Sequence, residues 1–524
     1  MQLNRTQNTV RNITWGVINK FIKILFPFVI RTIIIYRLGV KYVGLNSLFT
    51  SILSTLSLAE LGFDTAIVTV MYKSVAENDN DNLCALLNFI KKAYLIVGAA
   101  ILGMGMCCLP FLKYLIKDYN SIPSDMNLYV LFIMFLLNTV VSYFFGGYRN
   151  CVLEAYQRQD IVSNVNSFST ILFGILEIGI LFISGNYYLY LATMIISNVF
   201  INFATFYQAK KNFQRIIPKG SVKRDEKVAL KRVLVGTFYA RVGAVLSVSF
   251  DNIVISSFLG LTVLAYYSNY SYIITAIQGF LVIIYASMQA GIGNSVTLDS
   301  VKKNYEDMVK FTFGYNWIVG WCSICLIYLF KPFISLWIGN KGVLPDLIVV
   351  LIVLDFYIVL CGGIIGIYKN ALAIWWEDRY RCIIGGIFNL TLNICMVLAF
   401  RKYGDVYALA GVLLSTILAD LLILTPWALK VTFDKYFKKG IMEYAGQLIM
   451  YFIVTILNIA ICYPVMNAIS RLFDENMLLV LIFRMIILII LPNIVYWIIY
   501  SKTKPYKLAK EFLKTKINSK MERK

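Results

Sequence analysis

Three basic residues share one face of the first long apolar segment of the chain. Lys20, Lys23 and Arg31 fall within an arc of about 80° when they are plotted at helical spacing. An ionised side chain at bilayer depth costs at least about 2.5 kcal/mol on insertion scales, so it is tolerated where it faces a wet cavity or a partner. Pro27 removes one hydrogen bond of this helix and predicts a kink among the basic residues. The pattern predicts a cationic site that faces a wet cavity or a partner, with extension of Lys20 and Lys23 to the inner headgroups as the alternative.

A second stripe of polar side chains follows along the next apolar segment. Asn46, Thr50, Ser57, Glu60 and Asp64 also fall within an arc of about 80°. The two carboxylates lie four residues apart, so they are suited to binding a cation or a proton, or to balancing the basic face. Hydrogen bonding between helices is the alternative, and it fits the hydroxyl residues better than the carboxylates.

An internal repeat extends these features to the second half of the chain. RLGVKYVGLNSLFTSI from Arg37 aligns with FLGLTVLAYYSNYSYI from Phe258, and RNCVLEAYQRQ from Arg149 aligns with KNALAIWWEDR from Lys369. Both matches need an offset of about 220 residues, which predicts two lobes of similar structure. Transporters with parallel repeats carry their substrate in the cleft between such lobes.

The repeat adds candidate residues to the predicted site. It places Arg241 at the position of Lys20, so each lobe presents a cation at the same level. The polar stripe of the second segment has amide and tyrosine counterparts, which suit sugar rings. The residues added in this way are Arg241, Asp251, Asn252, Tyr267 and Gln278. We expect Asp251, like Glu60 and Asp64, to tune the charge of the site or to carry a coupling ion.

The segments that must position these residues have the composition of a membrane protein. Hydrophobic residues make up 59% of the 524 and charged residues 15%, which is too apolar for a soluble fold. The apolar runs predict an all-α integral membrane protein of about fourteen transmembrane helices. The net charge of +21 comes from Lys and Arg concentrated in alternate loops and the tail, which predicts that both termini are cytoplasmic. We therefore expect anionic membrane lipids, and no nucleic acid, as partners of the basic surface.

The domain organisation follows from the loops and the repeat. Two lobes of six helices each are predicted, related by an axis along the membrane normal. Two further helices and a tail follow them. In the tail, apolar and basic residues recur at helical spacing, which predicts an amphipathic helix. A solvated charged tail is the alternative to an amphipathic helix on the inner leaflet. The predicted parts are a first lobe (1–207), a basic linker (208–232), a second lobe (233–429), two more helices (430–500) and a cytoplasmic tail (501–524).

Several kinds of chemistry are disfavoured by the residues present. The sequence contains no histidine, so catalysis by histidine and histidine-ligated metals are excluded. Its ten cysteines lie in apolar runs or predicted cytoplasmic loops, which argues against a disulfide framework. Cys322 and Cys325 form a single CxxC pair inside an apolar helix. We predict no catalytic residue, metal site or cofactor.

Two stretches resemble a known family. SLAELGFDTAIVTVMYKSVAENDNDNL and FDNIVISSFLGLTVLAYYSNY are similar to helix two and to helices seven and eight of bacterial polysaccharide flippases, which belong to the multidrug, oligosaccharidyl-lipid and polysaccharide exporter superfamily. Asp251 stands at the family's acidic position, and Gly260 lies in its helix junction.

The resemblance implies a substrate and a location. The expected activity is movement of an undecaprenyl-diphosphate-linked oligosaccharide to the outer leaflet of the bacterial cytoplasmic membrane by alternating access, with H⁺ or Na⁺ as a candidate coupling ion. A drug/cation antiporter of the same superfamily is one alternative. A membrane-embedded polysaccharide polymerase or glycosyltransferase is the other, but the predicted outer loops are short for such an enzyme.

Overall fold

A computed structural model describes residues 5–57, 63–117, 119–123, 125–222, 227, 245, 249–473 and 476–521. Throughout these ranges the chain is helical and contains no β-strand. It forms two compact units, Met1–Ser268 and Asn269–Lys524. The predicted all-α class is confirmed, whereas the lobe and linker boundaries given above stay predictions.

Within the described ranges, the first unit consists mainly of helices. They are α1 (Arg5–Arg37), α2 (Val40–Leu56), α3 (Phe63–Ala76), α4 (Asn80–Cys108), α5 (Leu128–Phe144), α6 (Asn150–Ala155), α7 (Gln159–Ile183), α8 (Tyr187–Asn212) and α9 (Ser249–Leu259). Helix α10 (Leu261–Leu298) begins in this unit, and the boundary between the units falls within it.

Small and amide residues allow α1 to pack along α7. A Cβ at Gly174 of α7 would lie 2.3 Å from the ring of Phe26, so glycine is required for this approach. The Asn19 amide donates to the carbonyl oxygen of Ser163 at 3.2 Å and to the hydroxyl of Ser167 at 3.0 Å. Interhelical bonds of this kind hold helices together where lipid supplies no hydrophobic drive between them.

The second unit contains the remaining helices. They are α11 (Val301–Ile338), α12 (Asp346–Cys361), α13 (Gly363–Ala371), α14 (Arg381–Phe400), α15 (Asp405–Ala419), α16 (Thr425–Thr432), α17 (Ile441–Leu472), α18 (Met477–Tyr500) and α19 (Lys504–Met521). A π-helical turn, Asp420–Leu424, connects α15 to α16.

Helices α11 and α18 are linked by hydrogen bonds to two backbone carbonyls that prolines leave without a helical donor. Pro332 of α11 has no N–H, which leaves the carbonyl of Tyr328 without its helical donor, and Arg484 of α18 donates to that oxygen at 2.6 Å. In the reverse direction, Pro492 of α18 leaves the carbonyl of Leu488 free, and the Trp321 indole donates to it at 2.8 Å. Each helix therefore completes the backbone hydrogen bonding of the other.

Polar caps mark where many of the helices begin. Asp79, Asn127, Asn186, Ser300 and Asn476 each accept a hydrogen bond from a backbone N–H in the first turn of α4, α5, α8, α11 and α18. Such caps satisfy donors that have no partner inside the helix. The predicted loops between apolar runs thus also carry the residues that start the following helix.

Nine helices or helix combinations in the described part of the chain are long and apolar enough to cross a membrane. Helix α5, together with the short helical stretch that ends at Ala155, forms a further candidate, bent by 47°. Two of the predicted spans, 47–72 and 233–259, include residues outside the described ranges.

The predicted tail helix is present as α19 and packs against α11. The Phe512 ring lies 5.9 Å from the Phe311 ring in an edge-on contact, and the Lys310 ammonium lies 4.3 Å from the centre of the Phe512 ring. Part of the apolar face that was predicted to contact lipid therefore contacts protein. The predicted position of this helix on the inner leaflet stays a prediction.

Candidate functional site

Arg31 is the predicted site residue whose surroundings are most informative. It lies on α1, is half-buried, and donates through Nη2 to the hydroxyl of Ser268, which itself donates to the carbonyl of Ala265 at 2.9 Å. The guanidinium is thus held against the first turns of α10. A guanidinium keeps its charge in any protein environment, so Arg31 places a fixed positive charge inside the helical bundle of the first unit.

Buried tyrosines lie near Arg31. Tyr187 and Tyr190 are both close enough to interact electrostatically with its guanidinium. The Tyr187 ring lies 4.8 Å from that of Tyr42, whose hydroxyl donates to Asp125 at 2.5 Å. The charge of Arg31 therefore lies near buried phenol groups.

Asp251 and Asn252 lie on α9, close to α2. The Asn252 amide donates to the hydroxyl of Ser51 at 2.9 Å, and Asp251 is buried. Elsewhere on α2, a Cβ at Gly44 would lie 2.2 Å from the carbonyl oxygen of Leu261, so α2 approaches the backbone at the start of α10. Asn252 thus contributes at least one bond between helices.

The other predicted residues of the first unit are less closely defined. Lys20 is half-buried on α1 and Lys23 is exposed on it, while Tyr267 is half-buried on α10. Arg241 and Glu60 lie outside the described residues, as does the side chain of Asp64. The substrate contacts assigned to all of these stay predictions.

Gln278, assigned to the second lobe, lines a cavity of about 380 Å³ within the second unit. Its walls come from α10, α11, α12, α13, α14, α16, α17 and the π-helical turn. The polar residues that line it include Gln278, Tyr285, Tyr315, Lys369, Arg381 and Asp420.

A buried charge cluster forms one side of this cavity. Lys369 and Arg381 both pair with Asp378, the arginine through Nε to Oδ1 at 2.9 Å. The Arg381 Nη1 also lies 3.5 Å from the carbonyl of Leu424 in the π-helical turn. One carboxylate thus serves two cations, while Asp420 lies in the cavity wall close enough to Arg381 to interact electrostatically.

This cluster was missed in the sequence, where residues 369–381 have the composition of a solvated loop. One signal was available, because the repeat aligns Lys369 with Arg149. Arg149 is also buried, at 5% exposed, with its guanidinium 4.7 Å from the centre of the Phe206 ring. A buried cation at the same repeat position in both units indicates a structural or functional role beyond solvation. Among the described residues, no three acidic or cysteine side chains converge as metal ligands.

Comparisons with known proteins identify the family. The model of the polysaccharide biosynthesis protein family matches residues 9–289, which is more than half of the chain. The chain belongs to the polysaccharide biosynthesis protein family. A search of curated proteins found no match to the sequence of this chain.

Solved structures support the assignment of the fold. The lipid II flippase MurJ in an inward closed conformation aligns with a TM-score of 0.62 at 16% identity, over 93% of this chain and 99% of that one. An inward-facing multidrug resistance MATE family transporter of the MOP superfamily gives 0.54 at 13% identity, over 78% and 94%. A MOP superfamily transporter from Pyrococcus furiosus gives 0.54 at 13% identity, over 84% and 98%. This polysaccharide biosynthesis protein therefore has the MOP superfamily fold, which confirms the resemblance inferred from sequence.

Proposed function

We propose that this protein moves an undecaprenyl-diphosphate-linked oligosaccharide from the inner to the outer leaflet by alternating access, and that it acts as a transporter rather than as an enzyme. The observation that carries the proposal is Arg31, a guanidinium inside the bundle of a polysaccharide biosynthesis protein. A diphosphate that crosses a membrane needs such a fixed cation. Without a compensating positive charge, the free-energy cost of transferring the diphosphate out of water would be too high for transport. The lipid tail can stay in the bilayer while the headgroup crosses through the protein.

The other candidate residues have assigned roles in this proposal. Lys20, Lys23 and Arg241 add positive charge for the diphosphate, whereas Asn252, Tyr267 and Gln278 contact sugars. Glu60, Asp64 and Asp251 tune these charges or carry a coupling ion, with H⁺ and Na⁺ as the candidates. In addition, an anion that leaves a negative interior gains about 2.3 kcal/mol per charge per 100 mV, so the membrane potential supplies part of the drive.

The proposed location is the bacterial cytoplasmic membrane, with both termini in the cytoplasm. The excess of Lys and Arg in alternate loops supports this orientation. A lipid-linked saccharide is assembled on the cytoplasmic face in this proposal, and the protein receives it from that side.

Deletion of the gene tests the proposal. We expect lipid-linked oligosaccharide to accumulate with its sugars on the inner leaflet, oxidised by impermeant periodate in inside-out vesicles and protected in right-side-out vesicles. A plasmid-borne wild-type gene should restore exposure on the outer leaflet, and a plasmid carrying Arg31→Ala should not.

Two other results would contradict the proposal and distinguish its alternatives. If the lipid-linked pool fails to form at all, the protein takes part in synthesis, as a polymerase or glycosyltransferase would. If the pool forms and crosses normally while sensitivity to cationic drugs rises, the protein is a drug/cation antiporter.

A further inference from the structure

We propose that the cavity of the second unit is a binding site for a neutral saccharide, with Asp420 and Gln278 as its hydrogen-bonding residues and Tyr285 and Tyr315 as its aromatic wall. The inference rests on the proposed function in one respect, since a polysaccharide precursor supplies the sugar. It goes beyond that function by assigning a site in the second unit alone.

The size and lining of the cavity fit a small organic ligand. A volume of about 380 Å³ lies within the range of about 300–1,000 Å³ typical of small-molecule sites. Such sites combine largely apolar walls with a few convergent polar groups. Here aliphatic residues such as Leu281, Val359 and Leu448 form much of the wall, and a few polar side chains complete it.

The charges around the cavity favour a neutral ligand. Lys369 and Arg381 contribute two positive charges, and Asp378 and Asp420 contribute two negative ones. A diphosphate would meet cations already paired with Asp378 and would be repelled by Asp420. A metal ion or an ammonium group would be repelled by Lys369 and Arg381. A ligand without net charge avoids both penalties.

The hydrogen-bonding groups are of both kinds, as sugar hydroxyls require. Among the described residues, neither the Asp420 carboxylate nor the Gln278 amide has a hydrogen-bond partner. The carboxylate accepts two or more bonds, the amide both donates and accepts, and the Tyr315 hydroxyl does the same. A hydroxyl group, which donates one bond and accepts others, can satisfy each of them. An apolar ligand would cover these groups and leave them all without partners.

Glycines keep the aromatic wall in place. A Cβ at Gly363 would lie 3.0 Å from the Tyr315 ring, and a Cβ at Gly366 would lie 3.0 Å from the Tyr285 hydroxyl. Both glycines line the cavity. A side chain at either position would therefore shift the adjacent tyrosine from its place in the wall. The π-helical turn that begins at Asp420 adds to the case, since such turns occur frequently at functional sites.

Saturation-transfer NMR on the full-length protein in nanodiscs tests the proposal. The probes are glucose, galactose, mannose and N-acetylglucosamine, each offered separately. At least one should receive magnetisation from the wild-type protein. Asp420→Asn should weaken its binding about tenfold or more, and Gln278→Leu should weaken it about threefold to tenfold, which are the effects of losing a hydrogen bond to a charged group and to a neutral amide. Inorganic diphosphate in excess should not displace the sugar.

Two further variants separate binding from misfolding. Gly366→Ala retains every polar group and should also weaken binding, because it displaces Tyr285. Asp346→Asn, at an exposed carboxylate on the first turn of α12 outside the cavity, should bind as the wild type does. All variants are compared at equal monodispersity on gel filtration.

The proposal is overturned if no sugar shows transfer that depends on Asp420 and Gln278, or if diphosphate displaces the sugar. This outcome is distinct from failure of the proposed function. Loss of sugar binding leaves the leaflet assay on the deletion strain unaffected, and normal crossing in that strain leaves the binding result standing.

Discussion

The link between Pro332 and Arg484 makes a quantitative prediction. In the wild type, Arg484 supplies the hydrogen bond that Pro332 denies to the carbonyl of Tyr328, at 2.6 Å. Replacing Pro332 by alanine returns a helical N–H to that carbonyl, so Arg484 should then matter less. The informative quantity is therefore the coupling between Pro332→Ala and Arg484→Met in a double-mutant cycle.

The size of this coupling follows from the bond that is exchanged. Hydrogen bonds to charged groups contribute about 1.5–3 kcal/mol in soluble proteins, but interhelical bonds in membranes average about 0.6 and reach about 1.7 kcal/mol. The Arg484 bond is short and charge-assisted, so we expect a coupling of about 1–2 kcal/mol. The effect of Arg484→Met alone does not measure this bond, because the substitution also removes the desolvation cost of a partly buried charge. The double-mutant cycle cancels this desolvation cost, because Arg484→Met removes the same charge in both backgrounds.

The assay is equilibrium unfolding of the four proteins in mixed micelles, followed by tryptophan fluorescence. Arg484→Met should destabilise the wild type more than it destabilises the Pro332→Ala variant. The Trp321→Phe and Pro492→Ala pair provides a matched test, since the Trp321 indole donates to the carbonyl that Pro492 frees at Leu488. Additive effects in both cycles would refute the idea that each helix completes the hydrogen bonding of the other.

Three other predictions concern the site, the packing and the topology. Arg31→Ala should abolish surface polysaccharide at matched expression. Arg31→Lys should retain part of it, because a point charge still attracts phosphate although it cannot form the two parallel hydrogen bonds of a guanidinium. Full export by Arg31→Ala would exclude the cationic site. Gly44→Ala should destabilise the fold by about 1–3 kcal/mol in thermal unfolding, because its Cβ would lie 2.2 Å from the Leu261 carbonyl oxygen, and an unchanged melting temperature would contradict this packing. In a cysteine-free background, an impermeant thiol reagent should label Glu77→Cys only in inside-out vesicles and Lys402→Cys only in spheroplasts, and the reverse pattern would invert the topology.

The topology experiment illustrates how burial limits inference from sequence. Cys84 and Cys151 lie in or beside loops predicted to be cytoplasmic, which would make them natural targets for labelling. In the structure each thiol belongs to a residue only 1% exposed. The position of a cysteine along the chain says which loop it occupies, but its accessibility depends on distant segments that pack over it. Introduced cysteines at exposed positions are therefore needed.

The fold was predictable where the signal is periodic and local. Long apolar runs require helices in a membrane, because every backbone group must find its partner within the segment. The same reasoning identified Arg31 as a charge at membrane depth. It did not identify Ser268 as the partner of Arg31, since no local pattern connects residues that are 237 positions apart. The cluster at Asp378 was missed for a similar reason, because its burial depends on how α13 and α14 pack.

The exchange of backbone bonds between α11 and α18 has an evolutionary consequence. A proline whose lost hydrogen bond is restored by a side chain on another helix cannot be gained or lost on its own without leaving one group unmatched. Pro332 and Arg484 should therefore covary among relatives of this protein, and Pro492 should covary with Trp321. In relatives that lack one of these prolines, selection to keep the arginine or tryptophan that bonds to its carbonyl should be weaker. That residue should then often be replaced by an apolar residue of similar size.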